Sequence, residues 1–155
     1  MEQRLNYREA SPSAFNAMIH IVQTLHKSGL EESLMNLVDV RASQINGCAW
    51  CLDMHTKDAL ALGETEQRLL LVPVWREAQC YTDRERAALA WTEALTEVCN
   101  TRDVPDDVYE MARAQFSEKE LADLTLAVIA INGWNRLSVA FRTPVGDYVS
   151  PHAKK

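Results

Sequence analysis

Residues Ser117–Ile131 read SEKELADLTLAVIAI. A serine followed three residues later by glutamate has the form of a capping box, in which each side chain binds the other residue's backbone N–H at a helix start. Leu121, Leu124, Val128 and Ile131 then recur at spacings of three and four, the period of one helix face, and carry a long helix towards Arg142. Thr82-Asp83-Arg84-Glu85 repeats the signal ahead of Ala88, Trp91, Leu95 and Val98. Between these two, Pro105 opens a short helix through Phe116.

The same period governs the first half of the chain. Ser11-Pro12 supplies a cap and first residue for Ala14, Phe15, Met18, Ile19, Val22 and Leu25, a run stopped by Lys27-Ser28-Gly29. A second helix runs from about Glu31 to Ile45, where Asn46-Gly47 offers a left-handed stop. The next begins at Cys48 and ends at Gly63. Thr65 caps a segment through Leu71 that Pro73 breaks, with a further helix restarting towards Glu77. An irregular tail follows Thr143-Pro144. No segment alternates with period two, so the expectation is an all-α fold of about six to eight helices in one domain over residues 1–155.

At 155 residues, 47% apolar and 25% charged, the composition is that of a globular domain. The longest unbroken apolar run, Leu69 to Trp75, is far short of a membrane span, and the first ten residues lack the apolar stretch of a signal peptide. A net charge of −6 without a basic cluster argues against nucleic acid or an anionic membrane as partner. A cytoplasmic protein acting on small molecules or other proteins is expected. In that setting four cysteines do not form a disulfide framework, and the isolated Cys80 and Cys99 read as buried small apolar residues.

Chemistry concentrates in NGCAWCLDMH, Asn46–His55. If Gly47 ends one helix, Cys48 lies in the first turn of the next, where free N–H groups favour a thiolate. His55 follows Cys51 by four residues, so a nucleophile and a base share one helix face. Cβ atoms three apart on a helix are roughly 5–6 Å apart, whereas a disulfide needs about 3.5–4.5 Å. Bridging Cys48 to Cys51 therefore requires a local adjustment, easiest at a helix start, and such a bridge should be readily reduced. A zinc module would need a second ligand pair, and His20, His26 and His152 are scattered, so no metal and no other cofactor is expected. A thioredoxin-like site would need a preceding strand, but the preceding residues are helical.

RASQINGCAWCLDMHTKDA (Arg41–Ala59), TDRERAALAWTEALT (Thr82–Thr96) and AINGWNRL (Ala130–Leu137) together resemble the alkylhydroperoxidase D-like branch of the carboxymuconolactone decarboxylase superfamily. The resemblance implies an all-α AhpD-like fold, assembly as homotrimers or hexamers, and a dithiol peroxidase acting on organic hydroperoxides or hydrogen peroxide. By that analogy Cys51 is the peroxidatic thiol, Cys48 the resolving thiol and His55 part of the proton relay. It also implies an external dithiol reductant, a lipoyl protein or a thioredoxin-like one.

The family often carries a glutamate twelve residues before the first cysteine, where this chain has Asn36, which cannot take a proton at neutral pH. Glu32 and Asp39, one turn to either side, are the candidate substitutes, although as helix carboxylates their ordinary place is in solvent. Trp50 reads as packing or a pocket wall. These departures lead to the expectation of a weak peroxidase, or one with an unusual substrate. The competing readings are a redox-responsive interaction module without turnover and a decarboxylase-type activity, the latter having no need of a cysteine pair.

Overall fold

Both capping boxes close. Thr82 N donates to Glu85 Oε2 at 2.8 Å and Glu85 N to Thr82 Oγ1 at 3.2 Å; Ser117 N donates to Glu120 Oε2 at 2.9 Å and Glu120 N to Ser117 Oγ at 3.3 Å. In the computed structural model, which describes residues 2–153, they start helices α6 (Asp83–Thr96) and α9 (Glu118–Phe141). The other helices are α1 (Tyr7–Ala10), α2 (Pro12–Leu25), α3 (Glu32–Asn46), α4 (Ala49–Ala61), α5 (Glu66–Leu71), α7 (Val98–Thr101) and α8 (Asp106–Gln115), with a 3-10 turn at Val72–Val74. The described residues contain no strand, and the all-α expectation holds. Among the described residues nine helices stand where six to eight were expected, because α1 and α7 are single four-residue turns, too short to show a helical period.

Three helices make the core. α3, α6 and α9 pack on one another, burying Leu34, Val38, Ala88, Trp91, Leu124 and Val128 in one cluster. The other side of α3 presents Leu37 and Val40 to Leu69, Val72, Trp75 and Leu89. By length and composition α9 could cross a membrane. In this fold it runs instead against α2, α3, α4, α6 and α8. Two of its polar residues are engaged there: Asn132 donates to Thr96 Oγ1 and Asn135 to Ser43 Oγ, each at 3.0 Å.

Two local expectations fail. No helix restarts after Pro73, because Arg86 takes the carbonyls of Trp75, Arg76 and Ala78 that a continuing helix would have used. Cys80 and Cys99 are exposed and free rather than buried. One lies in the turn before α6 and the other in α7, where the chain runs over the surface.

Candidate active site

Gly47 sets the site. At φ 65° and ψ 32° it ends α3 in the left-handed conformation, which glycine adopts without steric penalty, and Cys48 N–H turns back to Ser43 O at 3.0 Å. The chain thereby reverses, and α4 packs against α3. Cys48 is the N-cap of α4 rather than a residue of its first turn, and its sulfur accepts the Cys51 N–H at 3.3 Å. Its backbone is extended (φ −86°, ψ 95°), which supplies the adjustment a bridge needs. The Cα atoms of Cys48 and Cys51 are 5.4 Å apart and the two sulfurs are joined as a disulfide.

The pair is 1% and 0% exposed, packed with Ala42 and Ile131 against Trp50 and Trp134. Behind it lies a polar tie: Asn46 Nδ2 donates to Asn132 Oδ1 at 3.0 Å and to Asn135 Oδ1 at 2.9 Å, locking the end of α3 to α9. Asn135 is a fully buried member of this network. Three asparagines from α3 and α9 that meet only in the fold give no local signal.

Cys51 lines a cavity of about 260 Å³. His55, Asp39, Asn36 and Glu32 line the same space, so one helix–helix interface collects every relay candidate, with Glu32 on its exposed side. Asp39 is not in open solvent. Burial pushes its carboxyl above the usual range, and the His55 and His26 charges only partly pull it back. Its Oδ2 stands 3.5 Å from His55 Nδ1, an electrostatic contact longer than a hydrogen bond. Asn36 is 9% exposed, one helical turn from Asp39 on the cavity face.

The fold adds residues the spacing did not reveal. His26 and His152, scattered in sequence, both reach the cavity wall, as does Asp58. The tail carries His152 there: Tyr148 Oη donates to Asp58 Oδ1 at 2.9 Å, and Lys57 Nζ donates to the carbonyls of Gly146 and Tyr148 at 3.1 and 3.0 Å. Burial and the Asp58 hydrogen bond push the Tyr148 hydroxyl up to about 12, so it remains a donor throughout the physiological range. Phe15, Trp50, Met54 and Trp134 supply an apolar wall. Trp50 is thus a pocket wall, as read from sequence. Among the described residues no group of three or more His, Cys, Asp or Glu stands together as a metal-ligand set.

Comparison with known proteins places this geometry. The family model for the carboxymuconolactone decarboxylase family matches residues 12–94. The Bacillus subtilis (strain 168) protein YdfG is 39% identical over 140 residues, 90% of this chain and 95% of its own. A crystal structure from Agrobacterium tumefaciens, of a protein of unknown function described as a candidate antioxidant defence protein AhpD, is 44% identical. It superposes with a TM-score of 0.90 over 95% of this chain and 100% of that one. A peroxidase-related protein from Ralstonia eutropha JMP134, with an alkylhydroperoxidase AhpD core, shares the fold at 19% identity, with a TM-score of 0.78 over 91% of this chain and 75% of that one.

Proposed function

The chain belongs to the carboxymuconolactone decarboxylase family, and from that premise we propose that it is a thiol-dependent peroxidase cycling Cys48 and Cys51 between dithiol and disulfide. The observation that carries this reading is the placement of Cys51 on a cavity shared with the His55–Asp39 pair, while Cys48 lies within bonding reach behind it. The description of the 44%-identical Agrobacterium protein as an AhpD candidate supports it.

Cys51 gives its proton to His55 and its thiolate attacks the terminal peroxide oxygen. The O–O bond breaks, the alkoxide leaves with the electron pair and takes the proton, and Cys51 becomes a sulfenic acid. Cys48 thiolate then attacks the Cys51 sulfur. Hydroxide departs as water and the disulfide forms. Asp39 stabilises the imidazolium that forms in the first step. An external dithiol, on a lipoyl or thioredoxin-like protein, supplies two electrons to reset the pair. The cavity of about 260 Å³, walled by Phe15, Trp50, Met54 and Trp134, suits an organic hydroperoxide with an apolar body. Exposed free Cys80 and Cys99 suit a cytoplasm that keeps thiols reduced, and a homotrimer or hexamer is the assembly we propose.

The test is consumption of cumene hydroperoxide by the reduced protein with dihydrolipoamide, in wild type and Cys51→Ser. Turnover that vanishes in Cys51→Ser is expected. Turnover that survives it overturns the mechanism. Disulfide formation without turnover, accompanied by a change of oligomer size, would favour the redox-responsive interaction module instead.

A further inference from the structure

The two cysteines of the pair line different cavities. Cys51 lines the cavity of His55 and Asp39. Cys48 lines a second one, of about 420 Å³, between the start of α4 and the end of α9, roofed by Arg142 to Val145. Trp50 lines both and forms the wall between them.

Buried polar groups beside the second cavity lack partners. Among the described residues, two buried side-chain polar atoms lack a hydrogen-bond partner, Ser138 Oγ and Thr143 Oγ1, and both residues line this cavity. Ser138 is only 4% exposed. An unpartnered buried hydroxyl is destabilising, and a ligand amide or carboxylate reaching it would offset that cost. Arg142, also on the wall, makes no ion pair with a described residue, so its charge is available to an anionic group. Together these residues give the cavity that Cys48 borders two hydroxyls and a cation.

Resting on the peroxidase reading above, we propose that this second cavity is the port for the electron donor, a dithiol bearing an amide or carboxylate held by Ser138, Thr143 and Arg142. The donor's first thiol loses its proton and attacks Cys48 Sγ. The Cys48–Cys51 bond breaks, a donor–Cys48 disulfide forms, and Cys51 leaves as thiolate with the bonding pair. The donor's second thiolate then attacks its own partner sulfur, closing the donor disulfide and releasing Cys48 as thiolate. The two protons shed by the donor are those the pair takes up when it rests as dithiol. Attack at Cys48 returns the thiolate to Cys51, inside the peroxide cavity beside His55. Oxidant and reductant therefore use separate entrances.

The test starts from protein oxidised with diamide, so that it reads out even if peroxide fails as substrate. Val145→Trp, at a half-exposed tail position, fills the second cavity without touching the core, and Arg142→Glu reverses its charge. Each should slow single-turnover reduction by dihydrolipoamide about tenfold or more, the scale of one lost charge-assisted hydrogen bond. Oxidation of the reduced variants by cumene hydroperoxide should keep its wild-type rate. Met54→Trp, in the peroxide cavity, should show the reverse pattern. A second readout needs no variant: reduction by the monothiol N-acetylcysteamine, acid quenching and fragmentation mass spectrometry should place the adduct on Cys48. An adduct on Cys51, or reduction slowed by Met54→Trp and indifferent to Val145→Trp, overturns the second port. Failure of peroxide to oxidise the dithiol at all would sink the peroxidase reading alone.

Discussion

Asp39 Oδ2 on α3 faces His55 Nδ1 on α4 at 3.5 Å, across the interface that Gly47 creates by reversing the chain. Neither residue is near the other in sequence, and burial weakens the acidity of the carboxyl.

That weakened acidity fixes a sign. The folded-state pKa of Asp39 lies above its unfolded value, so folding binds a proton more tightly there, and the stability this contributes is fully present below the unfolded value, 3.8, and lost as pH rises through the raised one. Asp39→Asn removes the burden of a buried charge, so at neutral pH the variant should melt higher than wild type, and the gain should vanish in acid. Oxidation of Cys51 by peroxide should slow about tenfold, because nothing then stabilises the imidazolium. Thermal melts at pH 4 and pH 7 with stopped-flow oxidation check both halves. A neutral-pH melt below that of wild type would refute the stability half.

Replacing His55 by alanine should slow Cys51 oxidation about 100-fold at pH 7, the lower end of what a positioned acid–base contributes. The deficit should shrink as rising pH ionises the thiol without help. A deficit constant from pH 6 to 9 would argue that His55 acts only through packing.

Cys48→Ser should leave the first chemical step intact and block the second, so that peroxide accumulates a sulfenic acid at Cys51 that dimedone traps. Labelling at any other cysteine instead, the exposed Cys80 or Cys99 included, would reassign the peroxidatic thiol.

Asn36→Glu places a second carboxylate one turn from Asp39 on the cavity face. Like charges at that spacing raise each other's pKa, so the variant should lose about 1–3 kcal/mol of stability at neutral pH. The expected compensation is a rise in peroxidase turnover of about tenfold at pH 8, where the added group can accept a proton. Steady-state kinetics and urea unfolding measure the exchange.

Asn135→Ala strips partners from Ser43 Oγ and Asn46 Nδ2. Urea unfolding should show a loss of about 3 kcal/mol, the upper end for buried groups left unpaired. Gly47→Ala meets open space and is strained only by its positive φ, so about 1 kcal/mol is expected there.

What the sequence determined by itself was whatever physics acts within about four residues. Capping boxes at Thr82 and Ser117, the left-handed stop at Gly47 and the apolar periodicity of α2, α3, α6 and α9 are local bargains between side chain and backbone, and each formed where it was legible. Cys51 and His55 on one face of α4 belong to the same class. Tertiary structure decided the rest, because burial and facing depend on how helices pack. It turned Asp39 from a solvent charge into the partner of His55 and brought His26 and His152 to one cavity wall. It left Cys80 and Cys99 outside, and it folded the tail over α4 so that Cys48 and Cys51 border different spaces. A residue's spacing states which neighbours its own helix gives it; only the packing of another element states whether it meets water, a partner or a substrate.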